Sequence, residues 1–302
     1  MVGSVAFAVA VLAGYGFHAY KLRESHIARA EISLRSVTRA LEHHAKWSFA
    51  AADLLLRRVS AQGETFLKAS EGRDDLHRIL AERVMASSIL QSIVVLDERG
   101  RNVADSLSFP PRELDGSDTD YFGAHRGGRP DKVFITNTFR SRISGRIIFG
   151  MSRAIRDEDG NLAGVVFATI DAEFFRNLYE SLNLGYRATT TLLTSNGDVL
   201  MRVPHTTDLV GANTANAPLF TKHLRRAPEG TYSVQSIFDQ SHRLAAYKKL
   251  PDFPLVVTAS YSMDEVLYDW KMDIFIEGIF AVSLAFGSVL ACYLITRRSS
   301  VP

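Results

Sequence analysis

Both ends of the chain are too apolar for a surface that meets water. Val2 to Tyr20 contains no Asp, Glu, Lys or Arg. As a helix it reaches roughly 28 Å, about one bilayer core. Tyr15, His18 and Tyr20 gather towards its far end, where interfacial side chains are common. A cleaved signal peptide is the competing reading. The run is long for a signal, however, no basic segment precedes it, and Lys21-Leu-Arg-Glu24 follows in place of a cleavage site. Ile274 to Ile295 is the second such segment, closed by Thr296-Arg297-Arg298. Its one charge, Glu277, lies a turn from the start, within reach of headgroups. Small residues such as Gly278, Ala285 and Gly287 would let it pack closely on another helix.

Basic residues beside the spans set the orientation. Arg297 and Arg298 place the C-terminus in the cytoplasm, and two spans return the N-terminus to the same side. Lys21, Arg23 and Arg29 vote the other way, a conflict that a start further upstream would explain. The balance falls on an extracytoplasmic middle, residues 21–273. The single cysteine, Cys292, lies in the second span and excludes an internal disulfide. Net charge is +2, from 35 basic and 33 acidic side chains, so nothing in the charge balance points to nucleic acid.

The middle is too long for a linker. It opens with a helical stretch free of Pro and Gly from Lys21 to about Ser60. Ile27, Ala30, Leu34, Val37 and Leu41 follow a 3,4 spacing, resumed at Ala51 and Leu55, which suits either a coiled-coil seam or a helix lying on its own domain. Short strands come next. Ser92–Leu96, the turn Asp97-Glu-Arg-Gly100 and Val103–Ser106 make a hairpin signal. Thr190–Thr194, Ser195-Asn-Gly-Asp198 and Val199–Val203 repeat it. Tyr121–His125, Val133–Arg140, Ile147–Ile155 and Leu162–Ile170 find counterparts at Ala217–Arg225, Gly230–Ser236, Arg243–Lys249 and Pro254–Tyr261. Each counterpart lies about a hundred residues later, which reads as two copies of one unit. The expected fold class is α+β, with antiparallel sheets because successive strands pair as hairpins.

A long helix running from a first span, two lobes of this strand order and a second span resemble the double Cache family, PAS-like extracytoplasmic sensor regions found ahead of diguanylate cyclases and histidine kinases. The stretches that carry the resemblance are Asp118-Thr-Asp-Tyr-Phe-Gly-Ala-His125, Phe139-Arg-Ser-Arg-Ile-Ser-Gly-Arg146, Met151-Ser-Arg153 and Gly164-Val-Val-Phe-Ala-Thr-Ile-Asp171. The resemblance implies two tandem PAS-like antiparallel-sheet lobes on the long helix, flanked by two transmembrane helices. The expected division is a transmembrane helix at 1–20, a membrane-proximal helix at 21–60, a distal lobe at 61–180, a proximal lobe at 181–270, a second transmembrane helix at 271–296 and a cytoplasmic stub at 297–302. It also implies a ligand in the distal lobe and a signal passed through the second span. Amino-acid-sensing members carry an Arg-x-Trp-Tyr-x-x-Ala-like pattern. Tyr121 and Ala124 match it, but Asp118 and Asp120 stand where its Arg and Trp would be, so its carboxylate-binding part is missing.

The residues themselves offer a modest site. Arg140, Arg142 and Arg146 crowd one hairpin, and guanidinium forks grip carboxylate or phosphate. Tyr121 offers a hydroxyl and a flat face, Ser152 a small donor and Asp171 an acceptor; His125 closes the same stretch as Tyr121. Arg146, Ile148, Gly150 and Ser152 share one strand face, and Gly150 would leave room there for a ligand. Solvated arginines and an Asp171 helix cap are the simpler alternatives. The 9 histidines show no metal-ligand spacing, and Asp157–Asn161 reads as a turn rather than a calcium loop. No catalytic constellation, cofactor site or metal site is expected. The expectation is therefore a sensor of the bacterial inner (plasma) membrane that binds a small, anionic or polar ligand. It would form a homodimer through the long helix and the spans, and would signal to a cytoplasmic output domain, cyclase or kinase, outside this chain. A module that binds a periplasmic protein and no small molecule is the alternative, and an enzyme at the outer surface a more remote one.

Overall fold

The computed structural model describes residues 2–68, 73–127, 132–141, 145–182, 184–185, 187–204 and 211–298. The chain opens with α1 (Val2–Lys68), a single unbroken helix, followed by α2 (Arg73–Met85). Then come β1 (Leu90–Asp97), β2 (Asn102–Asp105), α3 (Asp120–Gly123), β3 (Phe134–Ile135), β4 (Phe139–Arg140), β5 (Ile147–Arg156) and β6 (Leu162–Asp171). Helix α4 (Ala172–Ser181) leads to β7 (Thr189–Thr194), β8 (Val199–Val203), a π-helical turn at Leu219–His223, β9 (Glu229–Gln235), β10 (His242–Lys249) and β11 (Leu255–Ser262). The short α5 (Met263–Val266) and the long α6 (Tyr268–Arg298) complete it. The mixed α+β class with two antiparallel sheets and apolar terminal helices is as the sequence implies.

The two sheets have one topology. The first runs β2-β1-β6-β5-β3, with β4 also on β5; the second runs β8-β7-β11-β10-β9. The likeness extends to single hydrogen bonds. Gly100 and Gly197 both close a hairpin turn in the left-handed region, at φ +86° and +93°. The Gly100 carbonyl accepts from the Gly116 N–H at 2.8 Å, and the Gly197 carbonyl from the Thr214 N–H at 2.7 Å. Bridges Arg101–Asp115 and Asp198–Asn213 match as well, and both first hairpins slip register at the same place, Val95/Leu96 and Leu192/Leu193. A Cβ on Gly100 would meet Ser117 backbone, and one on Gly197 the Ala215 backbone, so each turn requires glycine twice over.

Two compact units make up the chain: residues 37–230 with 246–259, and residues 1–36 with 231–245 and 260–302. In the first, α1 lies on one face of the first sheet. Strand alternation puts Phe149, Met151, Arg153 and Ile155 of β5 on that face, all buried. Phe49 stacks on Phe149 with centroids 5.9 Å apart. Gly63 lies tight against the sheet, since a Cβ there would come within 2.7 Å of Ile155. Between these two contacts the buried Arg153 is gripped by Asp53, Nε to Oδ1 at 2.6 Å and Nη2 to Oδ2 at 3.0 Å. Arg57, one turn on and exposed, donates to the same carboxylate at 2.9 Å.

In the second unit, the first part of α1 meets α6. The Tyr15 hydroxyl donates to the Ile274 carbonyl, and the Trp270 indole N–H to the Ala19 carbonyl at 2.8 Å. His18 and Glu277 approach to 3.4 Å, and a Cβ on Gly278 would lie 2.8 Å from the Tyr15 hydroxyl oxygen. Away from these contacts Phe7, Val9, Phe17, Phe275, Phe280 and Phe286 are exposed. Both helices are long and apolar enough to cross a membrane.

The Asp53–Arg153 pair yields a direct expectation. Asp53→Ala leaves a guanidinium buried without a counter-charge, and should destabilise the fold by about 3–5 kcal/mol. Asp53→Leu combined with Arg153→Met should recover most of that loss, because apolar residues of similar size remove both desolvated charges. Thermal unfolding of the two variants beside the wild type measures both effects.

Candidate functional site

The second face of the first sheet carries the even residues of β5. Gly150, Ser152, Ala154 and Arg156 point towards α3 and the segment that succeeds it. A short apolar cluster of Leu96, Phe122 and Val165, with Tyr121 and Leu162 packed against it, seats α3 on this face. The approach to α3 is ordered by local bonds: Asp115 accepts from the Ser117 N–H at 2.9 Å, which holds its carboxyl below the usual range. Thr119 donates to the Gly116 carbonyl at 2.6 Å.

Three of the expected residues come together here. Ser152 is fully buried, and its hydroxyl donates to the Tyr121 carbonyl at 3.1 Å. A hydroxyl has one proton, so towards His125 Nε2, 2.8 Å away, the same oxygen accepts. His125 therefore carries its proton on Nε2, which fixes the orientation of a buried imidazole. The Tyr121 ring stacks on Phe167 at 3.9 Å between centroids and 15° between planes. Burial pushes its phenol pKa up, opposed by a hydrogen bond with Thr119.

The other expected residues lie elsewhere. Arg146 and Asp171 form an ion pair at 3.0 Å, with the arginine largely exposed. Arg146 directly precedes β5, roughly 20 Å of strand from Ser152, and Asp171 ends β6 opposite Ile148, nearer but on the same side of Ser152. Asp171 also caps α4, accepting from the Glu173 N–H at 2.9 Å, so the cap and the ion pair share one carboxylate. Arg140 is exposed and donates to the Gly145 carbonyl of its own turn at 2.8 Å. Arg142 lies outside the described residues.

Beside His125 opens a cleft of about 790 Å³. Its walls are the segment from Ser117 to Arg126, Lys132 to Phe134, and Ala154 with Arg156 of β5. Charges of both signs line it. Asp118, Asp120, Arg126 and Lys132 make no ion pair among the described residues, although Arg126 lies over the Phe122 ring at 4.9 Å. Arg156 donates to the Gly160 carbonyl at 3.0 Å. Of the residues expected from sequence, His125 alone lines this cleft, with Tyr121 and Ser152 behind it. The cations Arg126 and Lys132 were not singled out by sequence reasoning. The signal available was their position, on either side of Gly127-Gly-Arg-Pro-Asp131 and directly after the Tyr121–His125 stretch. Among the described residues, no three His, Cys, Asp or Glu side chains are grouped as a metal ion would need.

Gly150 does face the expected side, but the room it leaves is filled from within. Phe167 of β6, paired opposite Ser152, lays its ring over Gly150, where a Cβ would fall inside the ring's van der Waals envelope. Gly150→Ala should therefore cost about 1–3 kcal/mol by overpacking. Phe167→Leu added to it should restore part of the loss, because the ring that the methyl meets is gone. Thermal unfolding of the single and double variants tests the coupling, and additive losses would refute it.

A family model described as a dCache_1-like histidine kinase sensor domain matches residues 172–260. Among solved structures, the extracellular domain of rpHK1S-Z16, assigned as a histidine kinase, is 33% identical, with 80% of this chain and 98% of that one covered and a TM-score of 0.72. The periplasmic sensory domain of the Campylobacter jejuni chemoreceptor Tlp1 is 14% identical, covering 80% of this chain and 98% of that one at a TM-score of 0.64. The ligand-binding domain of the Pseudomonas aeruginosa amino-acid chemoreceptor PctC, solved with GABA, is 18% identical, covering 76% and 99% at a TM-score of 0.57. These last two share the fold. No curated protein matches the chain. Two sheets of one strand order on a shared long helix, and 33% identity to a sensor domain covered over 98% of its length, mean that the chain belongs to the double Cache family of sensor domains.

Proposed function

We propose that this sensor domain sits in a two-span receptor of the bacterial plasma membrane, with residues 21–273 outside the cytoplasm. The first turns of α1, up to Tyr20, and α6 are the spans. Their outward-facing phenylalanines, which no other part of the unit covers, support this reading. The lobe of residues 61–180 receives a small polar or anionic ligand, and the lobe of residues 181–270 passes the effect to α6. A cytoplasmic output of the cyclase or kinase type would read it. The chain itself carries no catalytic role in this reading.

The observation that carries the ligand assignment is the cleft beside His125. Asp118, Asp120, Arg126 and Lys132, which make no ion pair among the described residues, stand around a space large enough for a small metabolite. Unpaired charges facing one cleft bind a complementary polar molecule more readily than an apolar one. Ligand binding must also favour one arrangement over another, since equal affinity for both would shift nothing. Homodimerisation through α1 is supported by Trp47 and Leu54, exposed at 72% and 50% and one heptad apart on the same helix face.

A second reading has a specific observation behind it. Tyr121 and Phe167 fill the space above Gly150, which leaves the interior of the lobe packed and suits a module that binds a protein partner at its surface.

A thermal-shift screen of the full chain in detergent against small carboxylates, phosphates and polar metabolites separates the two. A ligand at 100 times its Kd should stabilise the protein by about 2.7 kcal/mol. His125→Ala and Arg126→Glu should remove that shift, and Arg146→Ala shows whether the far end of β5 contributes. No shift across the screen, or shifts untouched by the cleft variants, would overturn the cleft assignment.

A further inference from the structure

The connection between the two sheets runs through a single helix, α4, and α4 docks on α1 around a histidine. The His44 ring stacks on Phe174 at 5.5 Å and 25°, and meets the edges of Phe175 at 5.6 Å and Tyr179 at 6.0 Å. All three aromatics belong to α4, and Phe175 and Tyr179 are buried. Little answers the polar atoms. Ser48 Oγ lies 3.5 Å from Nε2, at the limit of a hydrogen bond, while His44 Nδ1 and the Tyr179 hydroxyl are buried without a partner among the described residues.

We propose that His44 makes the docking of α4 on α1 acid-sensitive, so that the link between the lobes loosens on acidification independently of any ligand in the cleft. The neutral imidazole packs in the aromatic box as a flat, weakly polar ring. The imidazolium would carry two N–H donors and a full charge into the same place. The surrounding charges are already committed. On α1, Glu42 lies 3.9 Å from both Lys248 of β10 and the exposed His43, and Lys46 pairs with Asp252 at 3.0 Å. On α4, Arg176 pairs with Glu173 and Glu180. Tyr179, its own pKa pushed up by burial, supplies no negative charge. The face of Phe174 offers an imidazolium some attraction, but a ring face cannot accept both N–H groups.

Burial accordingly pulls the His44 pKa down. With the folded value below the unfolded one, docking is fully stabilised above about pH 6.5 and weakens as pH falls through the folded value. Hydrogen exchange on the full chain in detergent, corrected for the intrinsic pH dependence, reads the α4 amides directly. Wild-type α4 should exchange several-fold faster at pH 5 than at pH 7.5, because acid protonates the undocked imidazole more readily than the docked one. His44→Phe should exchange alike at both. His44→Gln, neutral at all pH and able to hydrogen-bond, stands in should the phenylalanine not fold. His223→Gln should keep the wild-type response, although the His223 pKa is also lowered by burial and by Lys222 and Arg226. Equal wild-type exchange at the two pH values, an undiminished response in both His44 variants, or its loss in His223→Gln would each overturn the proposal.

Discussion

The ion pair between Asp53 and Arg153 decides which way the first sheet faces. Both side chains are buried, and neither charge could stay there alone without a loss of several kcal/mol. Arg153 must therefore point at α1. In a strand that single orientation dictates all the others, because side chains alternate and a slip of one residue would turn every one of them over. With Arg153 fixed, Phe149, Met151 and Ile155 meet the long helix. Gly150, Ser152, Ala154 and Arg156 then face α3 and the cleft. The position of His125 against Ser152 is thus a consequence of a contact on the opposite side of the sheet.

The two lobes show how one backbone can be put to different uses. Their first hairpins agree down to the turn glycine, the bridge beyond it and the point where the register slips. Past the hairpins the lobes diverge. In the first lobe a short helix brings Tyr121 and Phe122 onto the sheet and leaves a charged cleft at its end. In the second, a π-helical turn stands at that place, with Leu219 buried and Tyr247 reaching the His223 and Ala227 carbonyls at 3.2 Å. The shared hydrogen bonds set the architecture, and side chains outside them set the surface chemistry.

Features that depend on local chemistry were legible in the sequence. A turn that needs positive φ announces itself by glycine, so Gly100 and Gly197 revealed the repeat, and Asp171 ahead of Ala-Glu-Phe could be read as a cap. Features that depend on contacts between distant residues were not. Asp53 lies in an otherwise apolar stretch of helix, a hint that it is paired, but nothing local says that the partner is Arg153. Gly150 looked like space for a ligand because the occupant, Phe167, arrives from a neighbouring strand whose register no composition reveals. The arginines between positions 140 and 146 drew attention by number. Arg126 and Lys132, which do line the cleft, follow soon after Tyr121–His125, but nothing local says that they share a wall with Ala154 and Arg156 of β5.

These constraints limit how a signal could leave the cleft if the chain works as a receptor. A ligand's preference for one conformation over another is typically 1–3 kcal/mol. Breaking the Asp53–Arg153 pair costs about 3–5 kcal/mol, so such a ligand cannot slide β5 along α1. Sheet and helix must then respond together, as one packed body from Phe49 to Gly63. The softer joints lie elsewhere. Arg146–Asp171 is largely exposed on its arginine side, and the pair shares its carboxylate with the first turn of α4. Ligand-driven motion would therefore enter α4 at its capped end, while β5 itself stays in register.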